Sequence, residues 1–203
     1  MQEKSVIITA GGLGKRMKST LPKQFIVLDD KPLLMHSIEL FYKFDHTIEI
    51  ILALPKDWVY YWQELQVEHN FKIHHTIVIG GEERFHTVQN ALKKCTGKFI
   101  AVHDGVRPFV SRELLELCFD SLKQHSAVIP VLSIKESVRF LSDNKSEALD
   151  RNHYKLVHTP QCFHSEILKN AYLQAFHDLV TDDARLVEQM GEKLFFVESN
   201  EEN

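Results

Sequence analysis

The chain has 203 residues, 44% of them hydrophobic, and its 24 basic and 28 acidic side chains leave a formal charge of −4. That length suits one α/β domain with an appendage, and the apolar share is enough for a buried core. The acidic balance argues against an obligatory nucleic-acid binder, which carries a basic surplus, and leaves room for a local basic pocket facing a phosphorylated small molecule.

Met1-Gln2-Glu3-Lys4-Ser5 leads directly into an apolar run, without the three-part pattern of a secretory leader. Short β-branched runs predict strands at Val6–Thr9, Ile48–Ala53, Thr76–Ile79, Phe99–Val102 and Ala127–Val131. Helix-period stretches alternate with them at Leu33–Phe44, Asp57–His69, Thr87–Lys94 and Ser111–His125. In the last of these, Leu114, Leu115, Cys118 and Leu122 share one face, and Ser111 is placed to cap the helix with Glu113 in the first turn. This alternation implies parallel strands with helices on both faces: an α/β, three-layer, Rossmann-like fold around a mostly parallel central sheet.

After Val131 the pattern changes. Ser137–Leu141 reads as a strand, Ser142–Lys145 as a turn, and a second extended stretch follows. A β-arm at about residues 136–152 is therefore expected to project from a single domain spanning 1–203. A projecting hairpin needs something to pack on, and a second copy of the chain would serve. Helices resume at Ser165–His177 and Asp182–Met190, and Leu194–Val197 reads as a last strand. Apolar runs are short, such as Ile50–Leu54, against the ~20 residues a membrane span needs. Cys95, Cys118 and Cys162 are odd in number and widely spaced, which suits neither a disulfide framework nor a Cys-rich zinc site. A reduced, cytoplasmic protein is expected.

The first strand runs into Ala10-Gly11-Gly12-Leu13-Gly14-Lys15-Arg16-Met17, followed by Leu21-Pro22-Lys23-Gln24. Glycines there let backbone N–H groups turn toward a ligand, and Lys15, Arg16 and Lys23 set cations beside them. The combination is a polyphosphate cradle at the carboxyl end of a strand, where open α/β sheets bind ligands. Two familiar loops fail on spacing. Met17 stands where a dinucleotide-binding G-x-G-x-x-G needs its third glycine, and Gly14-Lys15 is followed by Arg16 where a nucleotide-binding P-loop needs Ser or Thr.

The G-G-x-G-x-R-M and L-P-K-Q pair resembles the signature loop of nucleotidyltransferases that join a sugar or polyol phosphate to a nucleoside triphosphate. Downstream, Gly80-Gly81-Glu82-Glu83-Arg84-Phe85-His86-Thr87-Val88 resembles the G-G-x-x-R-x-x-S/T-V segment of the cytidylyltransferase branch. Val102-His103-Asp104-Gly105-Val106-Arg107-Pro108 resembles its V-H-D-x-x-R-P. Asp150-Arg151, Thr159-Pro160-Gln161-Cys162-Phe163 and Thr181-Asp182-Asp183-Ala184 resemble its D-R, T-P-Q-x-F and T-D-D/E-A elements. These ordered blocks span nearly the whole chain and are similar to the 2-C-methyl-D-erythritol 4-phosphate cytidylyltransferase family, nucleotidyltransferases of a glycosyltransferase-A-like fold.

The resemblance implies transfer of a cytidylyl group from CTP to methylerythritol phosphate with release of pyrophosphate, in non-mevalonate isoprenoid synthesis. The attacking phosphate monoester has a second pKa of ~6 and is largely dianionic at neutral pH, so no general base is required. The barrier is electrostatic, and catalysis should rest on cations and positioning. By resemblance Arg16 and Lys23 are the catalytic cations. Ala10, Gly11, Gly12, Leu13 and Gly14 line the nucleotide, and Gly81, Glu82 and Thr87 read the cytosine. Asp104 holds Mg²⁺ beside the CTP phosphates, with His103 in support. Arg107, Ser137, Arg151, Thr159 and Thr181 face the polyol phosphate, and the arm interlocks two subunits in a homodimer. Thr181 also suits a helix N-cap, with Asp182 and Asp183 in the first turn. Arg84 either binds nucleotide or forms a salt bridge within its loop. His74 and His75 show no metal spacing and read as surface or packing residues.

Three departures from the family pattern stand out. Thr87 replaces the usual serine, and Glu136-Ser137 stands where the family has Asp-Thr. The family continues past the last strand into N-I-K-x-T-x-P-E-D, whose lysine is a substrate-side cation, whereas this sequence stops at Asn203. The native polypeptide is therefore expected to continue with a lysine soon after, and Glu198–Asn203 to be mobile until phosphates bind. Two other functions share the fold: a ribitol 5-phosphate cytidylyltransferase and a catalytically dead nucleotide-binding homologue. Glu82–Val88 and Thr181–Ala184 favour methylerythritol phosphate over the first. Arg16, Lys23 and Asp104 speak against the second.

Overall fold

A computed structural model of the chain describes residues 3–11, 21–143 and 145–203. In chain order the elements are β1 (Lys4–Thr9), the two-residue strands β2 (Val27–Leu28) and β3 (Lys31–Pro32), α1 (Leu33–Phe44), β4 (Glu49–Leu54), α2 (Val59–Glu68), β5 (Thr76–Ile79), α3 (Arg84–Leu92), β6 (Phe99–Asp104) and α4 (Arg112–Ser121). There follow β7 (Ala127–Ser133), β8 (Val138–Ser142), β9 (Lys145–Leu149), β10 (Lys155–Val157), β11 (Gln161–His164), α5 (Ser165–Ala171), α6 (Asp183–Gln189) and β12 (Phe195–Glu198).

Seven strands of the main sheet run in the order β10-β7-β11-β6-β1-β4-β5, with β12 paired to the free side of β7. β1, β4, β5 and β6 pair in parallel, and β12 is parallel to β7. The central strands are apolar on both faces, as burial under two helical layers demands: Val6, Ile7 and Ile8 of β1 are all fully buried. Their side chains alternate between two cores. Val6 and Ile8 pack with Leu34, Ile38 and Phe41 of α1, Trp62 of α2 and Leu115 of α4. Ile7 packs with Val88 of α3, Leu168 of α5 and Leu186 of α6. This is the expected three-layer arrangement.

Two strands depart from the expected parallel rhythm. β11 runs antiparallel between β6 and β7, and β10 is antiparallel to the far end of β7. β11 is only four residues long and follows Pro160, so its sequence carries little strand signal, yet Cys162 and Phe163 are fully buried in the sheet. Helix ends differ too. The expected helix at Ser165–His177 stops at Ala171, and the one at Asp57–His69 begins as a 3-10 turn over Lys56–Trp58. Ser111 caps α4 as expected, accepting the Leu114 N–H at 3.1 Å. At α6 the cap is Asp182 rather than Thr181. The Asp182 carboxylate takes the Arg185 N–H at 3.1 Å, and Thr181 lies exposed one residue earlier.

The expected arm is the β8–β9 hairpin, a separate two-stranded sheet in register from Val138↔Leu149 to Ser142↔Lys145. Phe140 is 55% exposed and Leu141 73%, so the hairpin carries apolar side chains that its own chain leaves uncovered. Among the described residues no helix is long and apolar enough to cross a membrane.

Candidate active site

The parallel strands deliver their carboxyl ends to one edge. β1 exits through Ala10 and Gly11, β4 through Leu54, β5 through Gly80, and β6 ends on Asp104. The exit from β1 is tied down on both sides. The Ala10 N–H donates to the Ala53 carbonyl at 2.9 Å, and the buried Gln24 side chain donates to the Ala10 carbonyl at 2.7 Å. Gln24 and Phe25 are buried in the one-turn 3-10 helix Lys23–Phe25, with Phe25 against Trp58 and Tyr61. That anchoring fixes the backbone from which half-buried Lys23 extends. Gly12, Leu13, Gly14, Lys15 and Arg16 lie outside the described residues.

Thr87, in the first turns of α3, organises the loop before it. Its hydroxyl accepts the Gly81 N–H at 3.0 Å and donates to the Glu83 carbonyl at 3.1 Å, and its side chain is buried. A Cβ added to Gly11 would stand 3.7 Å from that hydroxyl, so the β1 exit and the 80–83 loop are in contact range. A Cβ on Gly81 would stand 2.3 Å from the Cβ of His86, which explains glycine there. Gly81 and Glu82 are exposed, presenting backbone groups and one carboxylate to solvent.

Asp104 closes β6 in register with Thr9 of β1. Among the described residues its carboxylate has only long contacts: the Thr9 hydroxyl at 3.3 Å and Arg107 Nε at 3.3 Å, with Arg84 Nε at 4.0 Å. Below it, His103 is fully buried against the edge of Phe41. The Arg107 carbonyl can only accept, so the Nε2–H of His103 donates to it at 2.9 Å. Nδ1 is then bare and accepts the Thr159 hydroxyl proton at 3.0 Å, while the Thr159 oxygen accepts the Asp104 N–H at 3.2 Å. Burial pulls the His103 pKa down, Asp104 pushing the other way, and the neutral ring suits this chain of donors.

Thr159 is thus buried, with its hydroxyl engaged inside the protein. Of Glu198–Asn203, expected to be mobile until phosphates bind, Glu198 closes β12 and the rest makes defined polar contacts. Ser199 and Asn203 are buried, Asn203 Nδ2 donates to the Thr159 carbonyl at 2.8 Å, and Arg107 Nη1 donates to the Asn203 carbonyl at 3.0 Å. Polar side chains rather than apolar ones make this attachment, which is why hydropathy does not reveal it.

Ser137 and Arg151 stand on the arm, lining a cleft of about 430 Å³ with Val138, Arg139, Leu149 and Asp150. Both are exposed, and Arg151 Nη1 donates to the Lys135 carbonyl. The structure therefore gathers Ala10, Gly11, Gly81, Glu82, Thr87, Asp104, Arg107 and Thr159 around the strand ends, and sets Ser137 and Arg151 on a separate element. Arg84 makes a long-range pair rather than a bridge within its loop. Its Nη2 donates to Asp183, 99 residues away, at 2.7 Å. His75 proves to be a packing residue, accepting the Trp62 indole N–H at 3.0 Å.

No group of three His, Cys, Asp or Glu side chains converges among the described residues. Asp104 is a single hard oxygen donor, one-third exposed. Such a donor suits a divalent cation that takes the rest of its shell from phosphate oxygens and water.

Residues 5–203 match the family model described as 2-C-methyl-D-erythritol 4-phosphate cytidylyltransferase. A protein of that name from Bacteroides thetaiotaomicron is 49% identical over 203 residues, covering 99% of this chain and 92% of its own length. Another from Porphyromonas gingivalis is 41% identical over 204 residues, covering 100% of this chain and 91% of its own. Among solved structures, 4-diphosphocytidyl-2C-methyl-D-erythritol synthase from Anaerococcus prevotii superposes with a TM-score of 0.84 at 25% identity, over 100% of this chain and 91% of that one. The bifunctional IspDF from Campylobacter jejuni gives 0.84 at 28% identity, over 98% of this chain and 50% of that one.

Proposed function

This chain belongs to the 2-C-methyl-D-erythritol 4-phosphate cytidylyltransferase family, and from that premise we propose that it transfers the cytidylyl group of CTP to 2-C-methyl-D-erythritol 4-phosphate in non-mevalonate isoprenoid precursor synthesis. A phosphate oxygen of the polyol phosphate attacks the α-phosphorus of CTP. The bond from that phosphorus to the oxygen bridging to the β-phosphorus breaks, and pyrophosphate leaves with the electron pair. The observation that supports the reading is the approach of the 80–83 loop to the Asp104–Arg107 pair: Arg84, the residue directly after the loop, brings its Nε to 4.0 Å from Asp104, which itself lies 3.3 Å from Arg107 Nε.

In this reading the 80–83 loop, held by Thr87, reads the cytosine, with Gly81 and Glu82 supplying its edge contacts. Lys23 and Arg16 stabilise charge on the reacting phosphates, a point charge and a bidentate grip respectively. Arg107 holds the polyol phosphate. Mg²⁺ is the proposed cofactor; Asp104 would hold it, and it would offset the negative charge of the reacting phosphates. Thr159 holds the Asp104 backbone, and Thr181 stands at the substrate side ahead of α6. A homodimer built through the β8–β9 arm brings Ser137 and Arg151 to the polyol. The buried free thiols of Cys95, Cys118 and Cys162 suit a reducing cytoplasm.

Pyrophosphate release from CTP, measured with each polyol phosphate in Mg²⁺, tests this directly. Turnover with methylerythritol phosphate is expected. A preference for ribitol 5-phosphate would reassign the substrate, and absence of turnover alongside intact CTP binding would make the chain a nucleotide-binding homologue.

A further inference from the structure

Arg84 opens α3 immediately after the 80–83 loop, and its guanidinium lies between two carboxylates of unequal setting. Its Nη2 donates to Asp183 Oδ2 at 2.7 Å, a full charge-assisted bond. Asp183 is completely buried, and its other oxygen takes the Tyr172 hydroxyl at 2.5 Å. Toward Asp104 the guanidinium offers only Nε, 4.0 Å from Oδ1 and outside hydrogen-bond reach. Burial works against the Arg84 charge, but Asp183 first and Asp104 second hold its pKa above the ordinary range, so it is always a cation.

The inequality has a chemical consequence. An aspartate in a short pair with arginine has its charge and lone pairs engaged, and is a poor ligand for a cation. Among the described residues Asp104 instead has contacts of 3.3, 3.3 and 4.0 Å, none of them a short charge-assisted bond. We propose that the buried Asp183 carboxylate is a tether that withholds the Arg84 guanidinium from Asp104, making Arg84 and Asp183 positioning residues that keep Asp104 available to the cation accompanying the nucleotide. This rests on the cytidylyltransferase reading above. The tether spans the sequence from the base-side loop to the start of α6, so both ends of the fold set the state of one carboxylate.

Calorimetric titration with CTP, with and without Mg²⁺, tests the proposal, with circular dichroism melts as the check on folding. Asp183→Asn frees the guanidinium to close on Asp104 and should weaken CTP binding in Mg²⁺ by about tenfold or more. Without Mg²⁺ the same variant should bind CTP like wild type. The double variant Arg84→Gln/Asp183→Asn removes tether and tethered cation together, leaves no lone buried charge, and should return Mg²⁺-dependent affinity to within about threefold of wild type. Wild-type affinity in folded Asp183→Asn overturns the proposal, as does a double variant weakened about tenfold or more, which would instead assign Arg84 a direct nucleotide contact. Should Asp183→Asn fail to fold, the double variant alone decides. If the wild-type protein itself fails to bind CTP in Mg²⁺, the functional reading falls before the tether is tested.

Discussion

The hydroxyl oxygen of Thr159 lies 3.2 Å from the backbone nitrogen of Asp104 and accepts its N–H, tying the last residue of β6 to the residue that leads into β11. The same hydroxyl donates to His103, so one buried oxygen holds two consecutive residues of the candidate site. Thr159→Val keeps the shape but strands the Asp104 N–H and the His103 Nδ1, and should cost about 2–4 kcal/mol of stability. Thr159→Ser should recover most of it. Urea unfolding of the three proteins measures this, and equal midpoints for Thr159→Val and wild type would show that the hydroxyl bonds contribute nothing.

Gly81→Ala should impair the loop while sparing the fold. Its Cβ would meet His86 at 2.3 Å, and relief requires moving the 80–83 backbone. A penalty of about 1–3 kcal/mol is expected to fall on CTP affinity, because the loop is exposed and the α3 core below it is untouched. Calorimetry with CTP, beside a thermal melt, separates the two effects. A lowered melting temperature with unchanged CTP affinity would contradict the assignment of this loop to the base.

Lys23→Ala and Asp104→Ala should each lower kcat by about 10²-fold or more, the scale of losing one preorganised electrostatic contact. Neither side chain belongs to the two apolar cores, so circular dichroism should be unchanged. Steady-state turnover within a few-fold of wild type, for either variant, would remove that residue from the mechanism.

The arm predicts the assembly. Phe140 and Leu141 are exposed on the β8–β9 hairpin, and covering them needs a second surface. Sedimentation of the intact protein at micromolar concentration should give a dimer. Replacing both residues with Ser should shift it toward monomer with loss of turnover, because Ser137 and Arg151 flank the same hairpin. A monomeric wild-type protein with full activity would count against a shared site.

A pH effect on stability follows from the Lys4–Asp45 pair, 2.9 Å apart. Partial burial raises the Asp45 pKa, but Lys4 and the Thr47 hydrogen bonds outweigh it and bring the group down from 3.8 to about 2. A carboxylate with a depressed folded pKa stabilises the protein above its unfolded pKa, and that contribution fades as pH falls from about 4 toward 2. Lys4→Met should reduce stability at pH 6 and shrink its decline across that window. Urea midpoints at stepped pH measure it, and parallel profiles for variant and wild type would exclude the pair as a source of acid sensitivity.

The layered α/β architecture is legible along the chain, because apolar periodicity reports burial and burial is set residue by residue. So are the points where the strand ends deliver glycines and Asp104, since loop chemistry follows local backbone sterics, and so is the arm, as a hairpin lacking an apolar partner. The antiparallel insertion of β11 between β6 and β7 emerges only in three dimensions, because four residues after a proline carry too weak a pattern to choose a neighbour. The same holds for Arg84 and Asp183, for Thr159 and His103, and for the folding of Asn203 onto Arg107. Each joins polar groups far apart in sequence, and a hydrogen bond between such groups has no periodicity to read. Strand order brings them together, and the cost of burying them unpaired then dictates which partners they take.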